Sequence, residues 1–162
     1  MANAKPRLSV SHGSFTLSAK GHLPKGADLE CPRHGVYALI CRGRLLRFGE
    51  TGAAFERIRL GFNKTFLLCT GLRNYVAYHF RAQYAGEKLE VRFYSLGSPA
   101  LAKRTQRRAV EAELAYLYRK LHRRWPERMN LIHFHDVLTP ELRSFAAAVL
   151  KDVERSCRTR LP

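Results

Sequence analysis

Apolar and polar positions along this chain fall into short runs and alternations first and longer helical repeats later. Val36 to Cys41 is a continuous apolar run with β-branched and aromatic residues. Arg42-Gly43-Arg44 is a turn with glycine at its centre, and Leu45 to Phe48 is a second short apolar run, ended by Glu50-Thr51-Gly52. Short apolar runs bounded by turn residues predict strands, and two joined by a tight turn predict an antiparallel hairpin. Ala53 to Leu60 reads as a helix and Gly61-Phe62-Asn63-Lys64 as a break. Asn74 to Tyr84 reads as another helix, with Tyr75 and Tyr78 on one face, stopped at Ala85-Gly86. Lys88 to Leu96 alternates, with Leu89, Val91 and Phe93 facing one way and Glu90, Arg92 and Tyr94 the other, which predicts a half-buried strand. Lys103 to Arg124 carries Val110, Leu114, Leu117, Tyr118 and Leu121 along one side of a long helix. Met129 to His135 is a short extended piece, and Thr139 and Pro140 stand as N-cap and first residue of a final helix. Ahead of the hairpin, Ser14 to Ser18 alternates as a short strand with Phe15 and Leu17 on one face, and Met1 to Ser11 reads as a loose arm.

That order predicts an α/β fold, a small three-stranded and mostly antiparallel sheet flanked by helices with a C-terminal helical extension. The chain has 162 residues, enough for one domain with a real core. The expected division is an N-terminal arm over residues 1–30, the main domain over 31–135, and a C-terminal helix over 136–162 packed on the same domain.

Charge changes the picture more than composition does. Lys and Arg number 29 against 13 Asp and Glu, a formal net charge of +16. Such an excess favours a polyanionic partner. No stretch approaches the roughly 18 apolar residues of a membrane span, and the chain opens without a secretory leader pattern. Cys31, Cys41, Cys69 and Cys157 are scattered without a CxxC pair, which fits reduced thiols and a cytoplasmic setting. His133-Phe134-His135 puts two imidazoles on one strand face with no third ligand at a telling distance, so Phe134 is the better reading there as core. Arg59, Lys64, Arg104, Arg107, Arg108, Arg119 and Arg123 are the candidates for tracking a phosphate backbone.

Two blocks carry a resemblance. Gly35-Val36-Tyr37 is followed by Arg47-Phe48-Gly49, and Arg57 lies on the next helix. Downstream, Arg107 to Lys120 contains Glu111 three positions before Leu114, and Trp125-Pro126 precedes Asn130. In this order the blocks resemble the GIY-YIG endonuclease family. The resemblance spans roughly residues 35 to 130 and implies a metal-dependent nuclease acting on duplex or branched DNA, with Mg²⁺ or Mn²⁺ as cofactor. It further implies that Tyr37 orients or deprotonates the attacking water, that Arg57 holds the phosphate, that Glu111 is the metal ligand with Glu113 as its alternate, and that Asn130 completes the catalytic set. Phosphodiester hydrolysis needs an activated water, positive charge on the phosphoryl oxygens and support for the leaving oxygen, and these residue types supply each.

Two positions depart from the family pattern. Arg47 stands where the second motif has tyrosine; it cannot act as a base, but it can lower the pKa of Tyr37 or hold the phosphate. Gly61 stands where many members carry a histidine one turn beyond the helix arginine, with His34, His79 and Glu50 as polar groups that could replace it. A basic binding module that keeps the fold without cleavage is the alternative that these departures leave open.

Overall fold

The computed structural model describes residues 8–16, 34–52, 83–96, 101–129, 132 and 137–158. Its elements run β1 (Leu8–Thr16), β2 (Gly35–Cys41), β3 (Arg44–Thr51), β4 (Lys88–Leu96), α1 (Arg104–His122) and α2 (Pro140–Arg158). The strands form one antiparallel sheet in the order β1-β4-β2-β3.

The hairpin forms where the apolar runs predict it. Cys41 faces Arg44 across a two-residue loop, and both loop residues, Arg42 (φ 50°) and Gly43 (φ 71°), are left-handed. Such a loop twists in the same sense as the strands it joins. Arg42 tolerates the conformation while its Nε donates to Glu87 at 2.9 Å beside β4. Strand β3 then runs to Thr51, so Glu50 and Thr51 belong to it rather than ending it. The pairing slips between Leu39 and Ile40, where Leu39 faces Arg47 and Ile40 faces Leu45. That irregularity breaks the alternation of β3, and both Leu45 and Leu46 are buried.

Four strands replace the expected three. β1 pairs with β4 along nine residues, from Leu8 opposite Leu96 to Thr16 opposite Lys88. Leu8 to Ser11, expected as a loose arm, are therefore edge strand. Serines, a glycine and His12 fill most of β1, so backbone pairing rather than an apolar stripe holds it, and periodicity could not reveal it.

One face of the sheet carries the main core. Val36, Ala38 and Ile40 of β2 and Phe48 of β3 pack with Val110, Leu114 and Tyr118 of α1 and with Leu142, Phe145, Val149 and Val153 of α2. β4 is buried on both faces, contrary to the half-buried strand expected: Glu90 and Tyr94 are buried along with Leu89 and Val91. The reason lies in α2, which lays Asp152 and Ser156 over that face. Tyr94 donates its hydroxyl to Asp152 at 2.9 Å, and Arg92 reaches Asp152 at 2.9 Å and Ser156 Oγ at 3.1 Å.

Helix α2 starts as its residues dictate: Thr139 Oγ1 accepts the Leu142 N–H at 3.3 Å, with Pro140 first in the helix. Helix α1 ends at Arg123, left-handed at φ 59°, whose N–H donates to the Arg119 carbonyl at 2.8 Å. Leu121, expected on the buried side, is 54% exposed, because the last turn of α1 runs past the core. No helix among the described residues is long and apolar enough to cross a membrane.

Candidate active site

Both glycines of the hairpin motifs have a steric reason. A Cβ on Gly35 would stand 2.2 Å from the Tyr94 carbonyl oxygen, so only glycine lets β2 lie this close to β4. A Cβ on Gly49 would stand 2.3–2.5 Å from the ring and hydroxyl of Tyr37. Tyr37 faces Gly49 across the hairpin, and its phenol lies over the bare backbone there. Phe93 supports the other side with ring centroids 6.2 Å apart. The first motif's tyrosine is thus seated on the second motif's glycine, buried except for a small part of its surface.

Strand β3 is the edge next to Tyr37, and its outward backbone groups bind segments from later in the chain. The Leu46 carbonyl accepts the Arg128 N–H at 2.7 Å. The Glu50 N–H donates to the carboxylate of Glu111 on α1. Glu111 is pushed up to about 7, first by burial, with Arg47 and Arg108 pulling it down, Glu50 adding to the rise and the Glu50 N–H opposing it. Tyr37, Arg47 and Glu111 therefore converge on residues 47–50 of one edge strand. Arg47 donates from Nε to its neighbour's carbonyl at Phe48, 3.4 Å away, and its positive charge falls on Glu111.

Glu50, foreseen only as a strand end and as a stand-in for the absent histidine, organises α1. Its side chain is 8% exposed and takes Arg107 Nε at 3.1 Å, Arg104 Nε at 3.2 Å and Arg108 Nε at 4.0 Å. Its alternation with Phe48, two positions earlier on the core face, is the signal that could have found it. Arg107 is only 6% exposed and donates further to the Leu101 carbonyl at 2.9 Å and the Ala102 carbonyl at 2.6 Å. This corrects its reading as a solvent-side phosphate contact: burial and three acceptors commit its guanidinium to the interior. A Cβ on Gly52 would meet Arg107 at 3.2 Å and His34 Nδ1 at 3.5 Å, so His34 stands at this end of the hairpin.

The other predicted residues divide. Arg104 keeps most of its side chain in solvent beyond its contact with Glu50, and Arg108 is partly exposed. Arg119 lies over the Trp125 ring, 4.5 Å from its centroid, and Arg123 caps the helix in the open. Arg57, Asn130, Arg59 and Lys64 lie outside the described residues, as do His133 to His135 and the helices expected over 53–60 and most of 74–84.

No family model, curated protein or solved structure matches this chain.

The donor set suits a hard divalent ion better than zinc. Among the described residues no three His, Cys, Asp or Glu side chains gather as a ligand cage. A carboxylate such as that of Glu111, destabilised as an anion by loss of solvent and by Glu50, is what an ion such as Mg²⁺ or Mn²⁺ would neutralise while keeping its other positions for water and phosphate. On this arrangement Glu111 would hold the ion.

Proposed function

We propose that the chain is a metal-dependent DNA endonuclease with a GIY-YIG-like site. The observation that carries the reading is the meeting of two blocks distant in sequence: the charge of Arg47 on the hairpin falls on Glu111 of α1, next to the Gly49 that seats Tyr37. In this reading Tyr37 holds the attacking water by its hydroxyl, and Arg47, with Arg57 from outside the described residues, neutralises phosphoryl oxygens. Glu111 anchors the ion, which when bound supplies positive charge to the leaving 3′ oxygen. The net charge of +16 supports a duplex or branched DNA partner held mainly by its backbone.

The test is nicking of supercoiled plasmid with Mg²⁺ or Mn²⁺. Glu111→Gln keeps the size and removes the anionic ligand. Nicking should fall at least about a hundredfold, while binding in chelator stays the same or tightens because a negative charge beside the phosphate is gone. Glu113→Gln should be much milder. Full activity in both variants would discard the metal site at Glu111, and no activity in the wild type would leave the alternative: a basic binding module in which Arg47, where the second motif has tyrosine, marks lost cleavage.

A further inference from the structure

At the far end of α1 from Glu111, a cleft of about 560 Å³ opens between the β2–β3 turn, the end of α1 and the last turns of α2. That volume lies in the range of small-molecule sites, roughly 300–1,000 Å³. Its walls are aromatic. Tyr118 and His122 stack with ring centroids 4.3 Å apart, and Trp125 is held in place by Arg119 over its ring. His122 is fixed further by Glu154, 2.7 Å from its Nε2.

Its rim is cationic. Arg44, Arg124 and Arg158 line it, with Glu127 and Glu154 as the carboxylates. Glu127 stands 3.6 Å from Arg44, and Glu154 is taken by His122. Arg124, which donates to the Tyr118 hydroxyl, and Arg158 are left as rim cations without a carboxylate partner among the described residues. Among the described residues that line the cleft, burial pushes the Cys157 thiol up to about 11 and raises the Tyr118 phenol as well, so neither is an activated nucleophile. It is built to bind rather than to react.

We propose that this cleft is a nucleotide-binding site, its aromatic walls taking a planar base and Arg124 and Arg158 taking the phosphate. Aromatic faces accept any base by stacking, and guanidinium groups suit phosphate geometry. The inference is independent of cleavage but joins the nuclease reading naturally. Glu111 and His122 are separated along α1 by about 16 Å at about 1.5 Å per residue. A base drawn from a strand into the cleft would therefore lie a few nucleotides from the bond placed at β3.

Trp125 is the only tryptophan in the chain, so its fluorescence reports directly on the cleft. Titration with adenosine 5′-monophosphate should give a saturable change. Adenosine alone and inorganic phosphate alone should each bind at least tenfold more weakly. Arg124→Gln combined with Arg158→Gln should weaken the nucleotide at least tenfold with the far-ultraviolet circular dichroism unchanged. No saturable change, equal binding by inorganic phosphate, or wild-type affinity in the double variant would overturn the site. A short duplex with one unpaired adenine tells the source. Tighter binding than to a fully paired duplex identifies a base extruded from a strand, and equal binding identifies a free nucleotide. Wild-type protein that binds the nucleotide but never nicks plasmid would sink the nuclease reading alone; nicking without nucleotide binding would sink the cleft alone.

Discussion

At Glu111 the loss of solvent outweighs the attraction of Arg47 and Arg108, and the carboxyl keeps its proton up to about pH 7. The effect on stability has a definite sign. Well below the ordinary value of 4.5, folded and unfolded states are both protonated and nothing is lost. As pH rises towards 7 the folded chain holds a proton that the unfolded chain has released, so stability falls, by up to about 3 kcal/mol at ~1.4 kcal/mol per pKa unit. In chelator, wild type and Glu111→Gln should match in urea unfolding well below pH 4.5, and the variant should be the more stable at about pH 8. A variant that is less stable at pH 8 would mean that the anion is well satisfied in the fold. Gly49 sets a steric limit at the same scale. Gly49→Ala places a methyl against the buried Tyr37 ring and should cost about 1–3 kcal/mol, read as a lower urea midpoint with unchanged slope.

Among the elements, α1 is tied to β3 by one carboxylate as well as by the apolar core. Glu50 gathers Arg104, Arg107 and Arg108 from the first turns of α1 and gives its N–H to Glu111. Glu50→Gln leaves the buried Arg107 without its anion and should destabilise the protein by about 3–5 kcal/mol. Arg104→Ala removes only a largely exposed partner and should change stability by less than about 1 kcal/mol. Urea unfolding of both variants checks the ranking. Equal costs would mean that the helix is seated by its apolar face alone, through Val110 and Leu114. The same contrast explains why α1 reads so basic in sequence: part of that charge is spent inside, on Glu50.

Over the whole molecule, the excess of 29 Lys and Arg over 13 Asp and Glu acts through solvent. Binding to duplex DNA should show little sequence preference and weaken steeply with salt, the log-log slope growing by about −0.9 for each phosphate neutralised. Fluorescence anisotropy between low and moderate salt measures it. A slope near zero would remove the polyanion as a partner. Arg107→Gln, if it folds, should leave the slope unchanged, because a buried guanidinium releases no counterion; Arg104→Gln and Arg119→Gln should each reduce it.

Local pieces with a local cause were legible in the order of residues alone. The apolar runs around Arg42-Gly43 yield the hairpin because the turn needs left-handed residues and the strands need β-branched and aromatic ones. Lys88 to Leu96 is a strand over just those residues, and Thr139-Pro140 starts α2 because capping chemistry lies within three residues of the helix end. Gly35, Tyr37 and Gly49 stood out as a motif, though nothing local said that each glycine answers a particular close approach. Features that depend on distant chain left no such trace. β1 is held by backbone bonds to β4, which make no mark in its serine-rich pattern. The Glu90-Arg92-Tyr94 face is covered only because α2 returns Asp152 and Ser156 from far along the chain. Arg107 and Arg119 read alike, as helix cations, until folding buries one on Glu50 and stacks the other on Trp125. A side chain's charge is written in the sequence, but whether it meets water, a carboxylate or a ring is decided by which segments the fold brings together.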